Sequence, residues 1–164
     1  MDAALASLFS ERQGALAAGV EAALLAQDAP HYRGAPREER RARVERLVAV
    51  FLEALRAGGP APFVAHVRAV AGERAAEGYE LREVQQALSA LEAQAWPLVT
   101  GAGGETDTLV RRLALVTGIV GRGKDELARS FLDRKERAEA RAAALERRLS
   151  ELFKGTEPAP EDER

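Results

Sequence analysis

The sequence predicts an all-α fold, and three observations support that prediction. Alanine, leucine, glutamate and arginine, all strong helix formers, dominate a chain of 164 residues. Apolar residues recur at spacings of three and four, which is the period of a helix with one buried face. Aromatic residues make up only 5% and the β-branched residues are scattered, so strands are disfavoured. A hydrophobic fraction of 46% is sufficient for one packed core.

The first helical pattern covers residues 2–28. Its apolar face consists of Leu5, Leu8, Phe9, Leu16, Val20 and Leu24. Gly14 and Gly19 interrupt this pattern and weaken the predicted helix, because glycine has a low helix propensity. Residues 29–35 are predicted to be a connector, since Pro30 disfavours helix in the residue before it. The first helix is therefore expected to end near residue 28.

The second helix is predicted to begin near Pro36, whose fixed φ suits a first helical position. Its apolar stripe is the clearest in the chain and comprises Val44, Leu47, Val48, Phe51, Leu52 and Leu55. The opposite face, with Arg40 and Arg43, is predicted to be solvated. Glycines at 58–59 end this helix, and a third helix is expected to run from the following prolines to Gly78.

The fourth helix is predicted for about 80–100, with Pro97 kinking or ending it. Residues 101–104 are predicted to be a flexible link, and the next helix to start at Thr106 or Asp107. Gly121-Arg122-Gly123 indicates either a bend or a break, after which Asp125-Glu126 could begin another helix. Beyond this point a stripe of period 3.5 is typical of a coiled coil. It comprises Phe131, Lys135, Ala138, Ala142, Leu145, Leu149 and Leu152.

Composition excludes several classes of function. The 24 basic residues nearly balance 26 acidic ones, so nucleic acid is not expected as a ligand. Without cysteine, the chain has no disulfides, thiolate nucleophiles or sulfur metal ligands. No apolar run is long enough to span a membrane, and the start lacks the basic region of a signal peptide. We therefore expect a cytoplasmic protein without membrane attachment.

The central part of the chain has four features that together resemble a known family. They are Tyr32 ahead of the acidic helix start 36–39, the stripe 47–55, the helix 63–68 and the segment 74–84, in which Gly78-Tyr79 separates two helices. With these features, residues 32–98 resemble the N-terminal sensor domain of RsbR-type co-antagonist proteins, a non-haem globin-like family. The resemblance extends over about 90–125 residues when the flanking helices are included.

The resemblance implies a globin-like helical bundle that dimerises and passes signals through its C-terminal helix. We accordingly predict a sensor domain at 1–125, a signalling or coiled-coil helix at 126–153 and a disordered tail at 154–164. After residue 125 the chain is too short for the output domains of longer relatives, such as a phosphorylatable anti-sigma-antagonist domain or a kinase. The expectation is a free-standing sensor, or one that docks a partner through its final helix.

The sequence contains no pattern that indicates an enzyme. Its two histidines, His31 and His66, lie in different elements, and no pair has metal-ligand spacing. No serine has a nucleophile motif, and the paired carboxylates are at helix starts. His66 is a conceivable axial ligand for haem, although a partly exposed helix histidine is the preferred interpretation. We predict no catalytic, metal or cofactor-binding residues.

The predicted function is a non-enzymatic signalling or stress-sensor module that acts through homodimerisation, with a regulatory protein as a second kind of partner. Tyr32, Tyr79 and Trp96 are candidate pocket residues, with core packing as the preferred alternative. The dimer or partner helix is predicted to use Leu127, Phe131, Ala138, Ala142, Leu145, Leu149 and Leu152. Two alternatives remain open: a globin-like sensor that binds haem or a tetrapyrrole, and a structural bundle without a ligand.

Overall fold

The computed structural model describes residues 3–154, with side chains for 4–152, and this part of the chain contains helices and no strand. The helices are α1 Ala3–Glu11, α2 Gln13–Ala26, α3 Pro30–Gly34, α4 Arg37–Ala57, α5 Ala61–Ala76, α6 Leu81–Gly101 and α7 Thr106–Lys154. The predicted all-α bundle with a long C-terminal helix is thus confirmed. Of the tail predicted at 154–164, only Lys154, the last residue of α7, lies within the described residues.

The chain divides into two units, the first ending at Phe131 and the second beginning at Leu132. The sequence placed this boundary earlier, after residue 125. The next turns of α7 belong to the first unit because Glu126 and Leu127 are buried in it, at 5% and 0% exposure. We refer to residues up to 131 as the bundle and to residues 132–154 as the distal helix.

Three phenylalanines form the centre of the bundle. Phe51 of α4 packs edge-on against Phe9 of α1 and Phe63 of α5, with ring centroids 5.6 and 6.1 Å apart. All three rings are fully buried. Every residue of the stripe predicted on α4 is buried as well: Val44, Leu47, Val48, Phe51, Leu52 and Leu55. The period of that stripe therefore predicted the core correctly.

Glycines end two of the helices as predicted. Gly58 follows α4 with φ +69°, and its neighbour Gly59 donates a hydrogen bond to the carbonyl of Ala54. Gly78 follows α5 with φ +86°. Positive φ is strained for residues with a Cβ, which explains glycine at these helix ends. The resulting short turns return α5 and α6 onto the bundle.

The helix boundaries differ from the predictions in the first helical pattern and in the connector that follows it. The first pattern is divided at Arg12 into α1 and α2, and the predicted connector at 29–35 contains the short helix α3. Pro30 occupies a first-turn position of α3, where its missing N–H costs nothing. Pro97 lies inside α6, which ends at Gly101, close to the predicted end at about residue 100. Complete burial of Val99 favours the continued helix over the one backbone hydrogen bond lost at the proline.

Two helical glycines allow close helix packing. A Cβ on Gly123 would lie 2.5 Å from Cε1 of Phe63, and a Cβ on Gly19 would lie 2.5 Å from Oε1 of Gln94. The sequence predicts a weakened helix at Gly19 and either a bend or a break at residues 121–123. α7 instead runs unbroken through that segment, and Gly123 is where the α5 side chain of Phe63 contacts it.

Candidate functional site

The bundle contains a cavity of about 470 Å³ between α4, α5 and α6. Its apolar wall includes Leu24, Val44, Leu47, Val67, Val84 and Leu88. α4 and α5 contribute residues one turn apart because both helices direct an apolar stripe towards the core. A cavity of this volume with a mainly apolar wall is typical of small-molecule sites.

Charged and polar side chains also line the cavity. Those from α4 are Glu39, Arg43 and Arg46, and those from α5 are His66, Glu73 and Arg74. Arg43 bonds Glu39 in its own helix and Glu77, at 3.2 Å, beyond the end of α5. Arg74 Nη1 donates to the same Glu77 carboxylate at 2.5 Å, which links the two arginines.

His66 is half-buried on the wall of the cavity. Burial lowers its pKa below the usual 6.5, and the nearby positive charge of Arg46 lowers it further. The imidazole is therefore neutral at pH 7 and has a nitrogen lone pair available. The sequence placed His66 beside the apolar face of its helix, but it did not reveal the cavity.

The three candidate pocket residues, Tyr32, Tyr79 and Trp96, do not line one common cavity. Tyr32 lines the cavity and packs edge-on against Tyr79, with ring centroids 5.3 Å apart. Tyr79 lines a second, open cavity together with Pro30 and His31. Trp96 lines neither of these two cavities and is 46% exposed. Only the two tyrosines are thus brought together.

Tyr79 is held by side chains from three helices, α3, α4 and α5. The His31 ring stacks on it at a centroid distance of 4.6 Å, while the guanidinium groups of Arg43 and Arg74 lie 5.7 and 5.5 Å from its ring centre. Arg43 also donates a hydrogen bond to the tyrosine hydroxyl. Burial raises the pKa of neighbouring Tyr32 to about 12, so that phenol stays protonated. Cation–π contacts and stacking fix this corner of the bundle.

Glu83 anchors α3 to the start of α6. Its Oε2 lies 2.7 Å from Nδ1 of His31, and its Oε1 accepts a hydrogen bond from the His31 backbone N–H at 3.0 Å. The Glu80 backbone N–H donates to the same carboxylate, completing a capping box. Burial raises the pKa of Glu83, but these hydrogen bonds outweigh it and hold the pKa below its ordinary value. No pattern in the sequence indicates this pair, and His31, predicted to lie in a loop, belongs to α3.

Replacing Glu83 with glutamine should destabilise the bundle by about 1–3 kcal/mol at pH 7, because a charged, buried acceptor is lost. Since the pKa of Glu83 is lower in the folded than in the unfolded chain, the unfolded chain binds more protons. The stabilisation is present above the ordinary pKa of 4.5 and is lost as pH falls through the lowered folded pKa. The difference between wild type and variant in urea unfolding should therefore shrink in acid.

Glu45→Gln is the matched control, because Glu45 forms an exposed pair with Arg41 on the surface of α4. Its free energy of unfolding should stay within about 0.5 kcal/mol of wild type. An equal, pH-independent loss in both variants would contradict the assigned role of Glu83.

Charged side chains also hold the part of α7 that belongs to the bundle against α5 and α6. Glu126 accepts a hydrogen bond from Arg68 of α5 at 2.7 Å, and Lys124 donates to Glu92 of α6 at 2.8 Å. The sequence predicts that Asp125-Glu126 could begin a helix, whereas Glu126 lies within α7. Arg40, predicted to be solvated, is 8% exposed and bonds Glu21 at 3.0 Å.

The residues predicted for the partner helix fall into two groups. Leu127 is completely buried in the bundle and Phe131 is half-buried against the same core, so Leu127 is a core residue rather than a contact residue for a partner. The remaining members are exposed: Ala138, Ala142, Leu145, Leu149 and Leu152. The predicted stripe is therefore accessible only within the distal helix.

Within residues 3–154, no group of three or more histidine or carboxylate side chains is arranged to bind a metal ion. In the same range, no helix combines the length and apolar character needed to cross a membrane. Comparison with protein-family models, curated proteins and solved structures gave no match. The resemblance of residues 32–98 to RsbR-type sensor domains stays a prediction.

Proposed function

We propose that the chain is a non-enzymatic cytoplasmic signalling module that acts by forming homodimers through its distal helix. One observation carries this proposal. Leu145, Leu149 and Leu152 have exposures of 60, 53 and 69% and recur at spacings of four and three on one face. Burying a leucine contributes about 1.5–3 kcal/mol, so this face favours association with another helix.

The residues between the leucines stabilise the distal helix, which has no buried core of its own. Every described side chain from 132 to 152 is exposed. Alanine, glutamate and arginine have high helix propensities, and Lys135 lies 3.8 Å from Glu139 one turn later. The segment is therefore suited to be a helix that presents its apolar stripe to a partner.

The cavity supports a sensor role for the bundle. It places an apolar wall next to the cluster of Arg43, Arg74 and Tyr79, in which each group contacts another. A small molecule bound there would touch the side chains that join α4, α5 and the turn before α6. A signal would then consist of a change in these contacts.

The double substitution Leu145→Lys with Leu149→Lys tests the proposal, because two charges in the stripe oppose burial. Sedimentation at micromolar concentration should show a dimer for wild type and a monomer for the variant. The control, Ala140→Lys with Ala144→Lys, adds the same charges off the stripe and should remain dimeric. Wild-type monomer would overturn the proposal. A variant that removes the distal helix for the same test must keep all residues up to Phe131, because Leu127 and Phe131 pack in the core.

A haem- or tetrapyrrole-binding sensor is the second candidate, favoured by the position of His66 on the cavity wall. His66 would supply a nitrogen ligand to the iron, and the arginines that line the cavity would suit carboxylate groups of such a ligand. A bound haem would supply redox or gas-binding chemistry. A Soret band on haem addition that is lost in His66→Ala would establish this candidate. A colourless protein after haem addition would remove it and leave the non-haem module or a structural bundle.

A further inference from the structure

The charges that flank the leucine stripe follow a regular pattern. In heptad notation, Ala138, Leu145 and Leu152 occupy position d, and Ala142 and Leu149 occupy position a. Position g, which precedes each a, is arginine throughout the distal helix, at 134, 141 and 148. Position e, which follows d, is glutamate at 139 and 146. All of these side chains are exposed.

We propose that the distal helix pairs with a second copy of itself in parallel and in register. The inference rests on the proposed dimer and adds its direction and alignment. In a parallel pair, position g of one helix lies beside position e of the next heptad of the other. Arg134 would then face Glu139 of the second copy, and Arg141 would face Glu146. Symmetry repeats both pairs, so four interhelical ion pairs flank the contact between the a and d residues of the two helices, which we call the seam.

An antiparallel pair would have the opposite electrostatics. In that arrangement, g positions face g positions and e positions face e positions. Arginine would meet arginine along one side and glutamate would meet glutamate along the other. Like charges at these positions are destabilising, so the same sequence disfavours the antiparallel dimer.

The seam residues add a preference for one alignment. Leu145, Leu149 and Leu152 meet their own counterparts only when the helices are in register, and a shift by one heptad leaves part of this cluster without a leucine partner. Ala138 and Ala142 allow a close approach of the two backbones. Lys135 occupies the preceding a position, and its long stem can reach outwards, as its 3.8 Å contact with Glu139 shows.

Single cysteines in the full-length chain test the direction directly, because the protein has none of its own. Ala138→Cys and Leu152→Cys lie at equivalent seam positions near the two ends of the stripe. The positions are about 21 Å apart along the helix at 1.5 Å per residue. A disulfide needs Cα atoms within about 7 Å, so each variant cross-links only to the position that lies opposite it.

The parallel dimer predicts that each variant alone forms a disulfide-linked dimer on mild oxidation, with most of the protein cross-linked. Ala140→Cys, on the outer face, is the control and should stay uncross-linked.

Sedimentation of the reduced proteins supplies the second measurement. If the reduced protein is a dimer and cross-links form mainly when Ala138→Cys and Leu152→Cys are mixed, the two helices are antiparallel. That result would overturn this inference but leave the proposed function intact. A reduced dimer in which neither variant cross-links, alone or mixed, has its interface outside the leucine stripe, and this result would refute both the inference and the proposed function. A monomer would refute both proposals.

Discussion

Phe51→Ala should cost the bundle about 3–5 kcal/mol of its free energy of unfolding, the largest loss we expect from a single substitution. The Phe51 ring is completely buried and contacts both Phe9 and Phe63 edge-on. Its removal therefore loses apolar burial and leaves a cavity among helices α1, α4 and α5. Urea unfolding followed by far-UV circular dichroism measures the change.

Trp96→Ala is the matched control for that substitution. Trp96 is also a large aromatic residue within a helix, but it is 46% exposed, and alanine favours helix more than tryptophan does. Its replacement should change stability by less than about 1 kcal/mol. Similar losses for the two variants would contradict the central role assigned to Phe51.

Gly123→Ala should be destabilising by about 1–3 kcal/mol, although alanine is the better helix former. The added Cβ would lie 2.5 Å from the ring of Phe63, which is fully buried and surrounded by other core side chains. Either the ring or α7 must shift, and close packing transmits that strain to the centre of the bundle. Thermal unfolding should show a lower midpoint for the variant.

Two other glycines of α7 provide controls of the same chemistry. A Cβ on Gly118 or Gly121 would meet nothing within 4 Å. Alanine at either position should therefore stabilise the protein by up to about 1 kcal/mol. If Gly123→Ala were as stabilising as Gly121→Ala, the close packing of α5 against α7 would be refuted.

Periodicity in the sequence was sufficient to predict helices α4, α5 and α6 and the α4 face that forms the core. Helix ends at Gly58 and Gly78 were predictable for the same local reason, because positive φ selects glycine. Local patterns are reliable here because strong helix formers surround each stripe. They were less reliable at residues 29–35, where the prediction was a connector and the structure has the short helix α3.

The candidate site was only partly predictable. Its apolar wall consists of helix faces that periodicity identifies, and Tyr32 and Tyr79 were singled out as aromatic residues with a polar group. Trp96 was singled out on the same grounds, yet it lies on the surface. Whether such a residue lines a cavity depends on which helices pack beside it. The period of apolar residues shows which face of a helix is buried, but it does not show which other helices that face contacts.

The sequence alone determined the helical character of the chain, the buried faces of its helices and the leucine repeat of the distal helix, because these depend on residues within a few turns of one another. Tertiary structure decided which residues meet across long distances in the chain. Glu83 contacts His31 from 52 residues away, and Gly123 gives Phe63 its space. Such contacts are set by the packing of whole helices, so only the folded chain shows that Leu127 belongs to the core and that the accessible leucine repeat begins beyond it.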